Sequence, residues 1–163
     1  SSEAEKMVND YIQRFITPDI STSSLLRKYS ELEIVRRFVS HPKYLRYVTS
    51  CNTYFWLSRT EQLLMRKSYW CKKCPKCVFL FACFAAYLPK KEVVDIFGDD
   101  IYTKKRLLPL VRRILGIEGF KPLDCVGEPE EMILAMHLAS RSGEYAGEPA
   151  MQLFEERFPS RID

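Results

Sequence analysis

The first 97 residues contain no glycine; all six lie at Gly98 or later (Gly98, Gly116, Gly119, Gly127, Gly143 and Gly147). A loop that wraps phosphates with backbone amides needs clustered glycines, so the first part of the chain holds no such cradle and the scattered later six form none either. Histidine is almost absent, with His41 and His137 alone. His41 precedes Pro42 and belongs to a helix end, and His137 shares a helical face with Glu130, Leu134 and Arg141, the setting of a partly exposed structural histidine. Long apolar runs are missing too. The longest, Val78 to Leu88, has eleven residues, about half of the roughly 20 that span a bilayer, and no charged-then-apolar leader opens the sequence. Such a chain is expected to be soluble and cytosolic, with no membrane partner.

The 163 residues, 47% of them hydrophobic, are enough for one core. A net charge of +4 permits anionic ligands without demanding them. Met7, Tyr11 and Phe15 at four-residue spacing predict an amphipathic helix over Glu3 to Phe15, closed by Thr17-Pro18. Ser30 with Glu33 reads as a capping box before a helix whose face carries Leu32, Val35 and Val39. Tyr44 to Trp56, rich in aromatic and β-branched residues, reads as short extended segments, and Thr60 to Lys67 as a helix. Pro75 suits the first turn of a helix running to Leu88, apolar on nearly all faces and therefore the buried one. Further helices are predicted from Pro89 to Phe97, through Leu107, Leu110, Val111 and Ile114 with Gly116 as C-cap, from Pro129 to Ser140, and from Pro149 to Phe158. The fold expected is mainly α: one mostly helical domain over residues 1–163 with little sheet and a zinc-binding segment at about 51–77. The start at Ser1, without methionine, suggests a fragment or processed piece of something longer.

Three of the six cysteines stand in "WCKKCPKC", Trp70 to Cys77. In a reducing compartment closely spaced thiolates take metal rather than form disulfides. Two thiolates separated by two residues can share one ion because a tight turn points both sulfurs inward, and structural zinc takes four such ligands. Cys71, Cys74 and Cys77 supply three, and Cys51 in "TSCN" is the expected fourth. Cys83, within the apolar helix, reads as a packed small hydrophobe. An iron-sulfur cluster competes, although the fourth cysteine followed by proline usual in ferredoxins is missing. With four protein ligands the ion has no open position and staples the fold.

A second constellation is "GFKPLDCVGEPEE", Gly119 to Glu131, which packs Lys121, Asp124, Cys125, Glu128, Glu130 and Glu131 around a turn bounded by Pro122 and Gly127. A cysteine among acids suits an acid/base or structural thiol better than a permanently ionised nucleophile. The last two glutamates also favour the positive end of the helix begun by Pro129.

In order along the chain, "SLLRKYSELEIVRRF", "TSCNTYF", "WCKKCPKCVFLF", "DIFGDDIY" and "GFKPLDCVGEPEE" resemble the C-terminal part of the UDP-N-acetyl-α-D-muramoyl-L-alanyl-L-glutamate epimerase family. The resemblance covers roughly Ser1 to Ser140, and "SSEAE" looks like the tail of a family motif. It implies an ATP-dependent reaction, with Mg, on a UDP-muramoyl dipeptide: adenylation of the terminal glutamate's α-carboxylate, inversion at the adjacent carbon, and hydrolysis. It also implies an N-terminal partner part resembling ATP pyrophosphatases, which would make this chain the C-terminal portion of a larger α/β enzyme, expected to be inactive alone. For such chemistry Cys125 is the candidate proton carrier, with Glu128 or Asp124 as helpers, and Lys76 and Lys121 are candidates to hold the substrate's carboxylates or diphosphate. The competing class is a zinc-stapled RNA- or nucleobase-binding module, in which Arg66, Lys67, Lys72, Lys73 and Lys76 track phosphates while Tyr69 and Trp70 stack bases.

Overall fold

The computed structural model describes residues 2–56, 60 and 69–159. Among them nine α-helices and no strand are present: α1 (Ser2–Phe15), α2 (Glu31–Phe38), α3 (Pro42–Leu45), α4 (Asn52–Trp56), α5 (Pro75–Ala85), α6 (Lys90–Phe97), α7 (Leu108–Ile114), α8 (Pro129–Ser140) and α9 (Pro149–Arg157). The mainly α expectation therefore holds. No described helix is long and apolar enough to cross a membrane.

Local chemistry explains most boundaries. Proline lies in the first turn of α3, α5, α7, α8 and α9, where its fixed φ suits the helix and its missing N–H costs no bond. Gly98 closes α6 and Gly116 follows α7, both left-handed at φ 73° and 69°. At α7 the Ile117 amide donates to the Arg112 carbonyl and the Gly116 amide to that of Arg113, the double bond that ends many helices on glycine. Ser30 caps α2 by accepting from the Glu33 amide at 3.2 Å. Glu33 does not return the bond; its carboxylate turns to Arg36 and Arg37 instead.

Two expectations need correction. Tyr44 to Trp56 forms no strand: its ends belong to the short helices α3, begun by Pro42, and α4, begun by Asn52. β-branched and aromatic residues favour strands only where a pleated partner exists to pack on, and the described residues offer none. The helix expected from Pro75 to Leu88 also stops earlier, at Ala85. The helix expected over Thr60 to Lys67 lies outside the described residues except for Thr60.

α5 is the axis. Every residue from Cys77 to Ala85 is buried, and the helix packs most extensively on α8 while also meeting α2, α6 and α7. Trp70 stacks on Phe97 at 4.4 Å between ring centroids. Phe81 meets Phe97, Tyr102 and Tyr145 edge-on. Side chains of this size each contribute about 1.5–3 kcal/mol on burial, so the aromatic cluster fixes α5, and with it the turn from which α5 springs. Lys90 at the start of α6 bridges Asp100 at 3.1 Å and Glu148, tying α6 to the 98–104 turn and to α9.

Candidate metal centre and adjoining loop

The chain leaves Trp70 buried and turns sharply before α5, with Lys72 in the left-handed region at φ 60°. That turn folds the Cys74 amide back onto the Cys71 sulfur at 3.3 Å. Cys74 is the N-cap of α5 and Cys77 lies in its first turn, which turns both thiols toward Cys71. Thr49 ties the upstream segment in: its hydroxyl donates to the Tyr69 carbonyl at 2.7 Å and accepts from the Cys51 amide. The Cys51 sulfur then accepts from the amides of Tyr54 and Cys71 at 3.4 and 3.3 Å.

The result is a compact set of four sulfurs. Those of Cys51, Cys71, Cys74 and Cys77 lie within 4.8 Å of one another. Individual separations are 4.0 Å for Cys51–Cys74, 3.7 Å for Cys71–Cys77 and 3.5 Å for Cys74–Cys77. Four sulfurs each about 2.3 Å from a central ion stand about 3.8 Å apart at the edges of a tetrahedron. The set therefore fits a tetrahedral metal ion, and the separations are far beyond a disulfide bond. Hydrogen bonding with Cys51 leads the forces that drive the Cys71 thiol well below the ordinary thiol range and those of Cys74 and Cys77 above it. Four neighbouring thiols cannot all ionise unaided; a cation removes that conflict. Cys83, fully buried, stands apart from the cluster, and burial pushes its thiol well up.

The loop between α7 and α8 lies against this centre. Its start is held by Arg113, whose Nε donates to the Phe120 carbonyl at 3.0 Å. Across its mouth Lys121 donates to Glu128 at 2.9 Å and to the Gly127 carbonyl at 3.5 Å. Its end is pressed onto α5: a Cβ on Gly127 would sit 2.5 Å from both the Phe79 ring and the Glu131 carboxylate. Glu128 caps α8 in a reciprocal box with Glu131. The other oxygen of Glu131 accepts from the Leu32 amide of α2 at 3.1 Å. Between these anchors Asp124 accepts a hydrogen bond from Asn52, the residue after Cys51. Arg113, Phe120, Lys121, Pro122, Leu123 and Asp124 line a groove of about 720 Å3. Phe120 and Leu123 are 91% and 105% exposed there, and the Cys125 thiol is exposed.

The fold thus brings the four predicted ligands together, pairs Lys121 with Glu128, and sets Asp124 beside the four-cysteine segment. Lys76 joins the same segment from the other side, donating to the Ser50 hydroxyl at 2.9 Å. Cys125 is not hydrogen-bonded to Asp124 or Glu128. Trp70, expected to stack bases, is 1% exposed and offers them no face; Arg66 and Lys67 lie outside the described residues. Sequence reasoning missed Ser50, Asn52, Arg113 and Phe120. Only the position of Asn52 directly after a ligand pointed to it.

Residues 47–163 match the family model for the MurL C-terminal domain. Three relatives carry the name UDP-N-acetyl-alpha-D-muramoyl-L-alanyl-L-glutamate epimerase. That from a Micromonospora species is 38% identical over 136 residues, 83% of this chain and 29% of the relative. That from Salinispora tropica is 36% identical over 136 residues, 83% and 28% respectively. That from Xanthomonas oryzae pv. oryzae is 31% identical over 159 residues, 98% and 34% respectively. The chain therefore spans about a third of the length of these relatives. No solved structure matches. Through the match over residues 47–163, the chain belongs to the MurL epimerase C-terminal domain family.

Proposed function

We propose that this chain is the C-terminal part of an ATP-dependent epimerase that inverts the terminal L-glutamate of UDP-MurNAc-L-Ala-L-Glu, stapled by a structural zinc. The observation that carries the reading is the exposed Cys125 thiol on a loop held at both ends, beside a groove with apolar walls and the cations Arg113 and Lys121. The relatives' names support the substrate.

A free carboxylate suppresses loss of the neighbouring C–H proton by its own charge. In the complete enzyme, ATP with Mg supplies the activation that removes that charge. Inversion then requires a proton taken from one face of the α-carbon and one delivered to the other. Cys125 carries out one of these transfers. Asp124, anchored on Asn52, and Glu128, paired with Lys121, lie within the same loop and assist. Lys121 and Lys76 offer ammonium groups to the substrate's carboxylates or diphosphate. Zinc held by Cys51, Cys71, Cys74 and Cys77 would supply folding free energy and no reactive position.

The test uses this segment within a complete epimerase. Cys125→Ser should leave pyrophosphate release intact while slowing solvent deuterium incorporation at the glutamyl α-carbon by about 10²- to 10⁴-fold, the usual worth of a positioned proton carrier. Equal losses in both readouts, or none in either, would remove Cys125 from the reaction. The 163 residues by themselves, without a glycine-rich phosphate cradle, are expected to release no pyrophosphate from ATP.

A further inference from the structure

The loop carrying Cys125 is not held evenly. Arg113 fixes its start at Phe120, and Lys121, Gly127 and Glu128 fix its mouth. Pro122 and Val126 turn inward. Among the described residues, the Asn52 side chain makes the one hydrogen bond that reaches residues 122–126 from outside the loop. Asn52 begins α4 and follows Cys51, whose sulfur is held by the amides of Tyr54 and Cys71 within the metal set. A ligand bound to an ion cannot drift, and neither can the residue bonded to it through the backbone.

We infer that Asn52 is a positioning residue that transmits the order of the four-cysteine metal centre to the Asp124–Cys125 turn. The metal thereby governs how Cys125 is presented without touching the reaction. The inference rests on the proposed role of Cys125 for its functional meaning, while the mechanical coupling stands on the geometry alone. A neutral amide donating to a carboxylate is one of the stronger hydrogen bonds of a folded chain. Its loss should free residues 122–126 and leave the metal centre and the helices unchanged.

The experiment is site-resolved amide hydrogen exchange on this chain loaded with one equivalent of zinc, with the cobalt(II) spectrum as an independent check of the four-thiolate centre. Asn52→Ala should quicken exchange at residues 123–126 about tenfold while α5 and α8 keep their protection and the cobalt spectrum is unchanged. Asn52→Asp, of equal volume, should quicken it at least as much, because a carboxylate then faces Asp124. A packing role would tolerate that isostere. Asp124→Ala should match Asn52→Ala, and the double substitution should add nothing, as expected for a shared bond. Chelation of the wild-type chain should loosen the same turn. The inference is overturned if exchange in the turn is unchanged in Asn52→Ala, if Asn52→Asp behaves as wild type, or if both variants lose the cobalt spectrum. Loosening of the turn with unchanged deuterium incorporation in the complete enzyme would uphold the coupling and refute the catalytic reading of Cys125.

Discussion

Replacing Glu131 tests whether the end of the loop is held as the structure indicates. Its two carboxylate oxygens do different work: one accepts from the Glu128 amide at 3.2 Å within the α8 cap, the other from the Leu32 amide at 3.1 Å in the first turn of α2. Bonds to a charged acceptor contribute about 1.5–3 kcal/mol each. Glu131 is half-buried, so the lower end applies, and Glu131→Ala should cost about 3 kcal/mol. Glutamine keeps a single acceptor and turns an NH2 toward the other amide, so Glu131→Gln should lose at least half, about 1.5 kcal/mol. For a chain of this size each kcal/mol shifts Tm by about 2–4 °C. The expected falls are therefore about 6–12 °C for alanine and about 3–6 °C for glutamine. Urea titration followed by circular dichroism, with zinc kept at one equivalent in every sample, gives the free energies directly. An alanine variant within about 0.5 kcal/mol of wild type would refute the double anchor. A glutamine variant as damaged as alanine would show that charge, rather than two separate bonds, carries the effect.

Other outcomes follow from single sites. The chain should bind one zinc per molecule, and Cys51→Ser should weaken retention while a chelator lowers Tm, since structural zinc contributes directly to folding; elemental analysis finding iron, or full retention in Cys51→Ser, would overturn the ligand set. Gly127→Ala should destabilise by about 1–3 kcal/mol, because its Cβ has no room between Phe79 and Glu131; a neutral result in thermal melts would mean the loop end moves freely. Burial first, with Asp100 beside it, raises the Glu148 carboxyl to about 7 from an ordinary 4.5 despite the Lys90 ammonium. The folded state therefore favours the protonated form. Stability from this group is full below pH 4.5 and lost as pH rises through about 7, amounting to at most about 3 kcal/mol. Glu148→Gln should flatten that part of the stability profile, and an unchanged slope would refute the assignment.

Helix ends were legible because their causes are local. Pro75, Pro129 and Pro149 sit at first turns and Gly116 sits where the backbone turns left-handed, so these residues placed the starts of α5, α8 and α9 and the end of α7, while α5 stops at Ala85, short of the expected Leu88. The four clustered cysteines were legible for a related reason. Three lie within one turn and the start of one helix, and Cys51, upstream in "TSCN", was the expected fourth. Composition failed at Tyr44 to Trp56, where strand-favouring residues form no strand and both ends of the span are helical. Periodicity also reports a face without saying what covers it: Met7, Tyr11 and Phe15 make the expected stripe on α1, yet all three are exposed.

What no window of sequence could show is how the acidic loop is held. Asp124 meets Asn52 across 72 residues, and Glu131 meets Leu32 across 99. Each tie joins a polar side chain to a segment whose own position depends on something else, the four-sulfur set for Asn52 and the packing of α2 against α5 for Leu32. Such ties depend on tertiary packing, so their partners leave no periodic trace. Their chemistry still left a mark, because polar groups near a core require partners. "CN" beside one turn and "DC" beside another were both visible, and it took the fold around α5 to make them neighbours. The site is thus best understood as two locally encoded turns, a thiol-rich one and an acid-rich one, whose relative position is set by a helix that gives Cys77 to the first and packs its apolar remainder against α8.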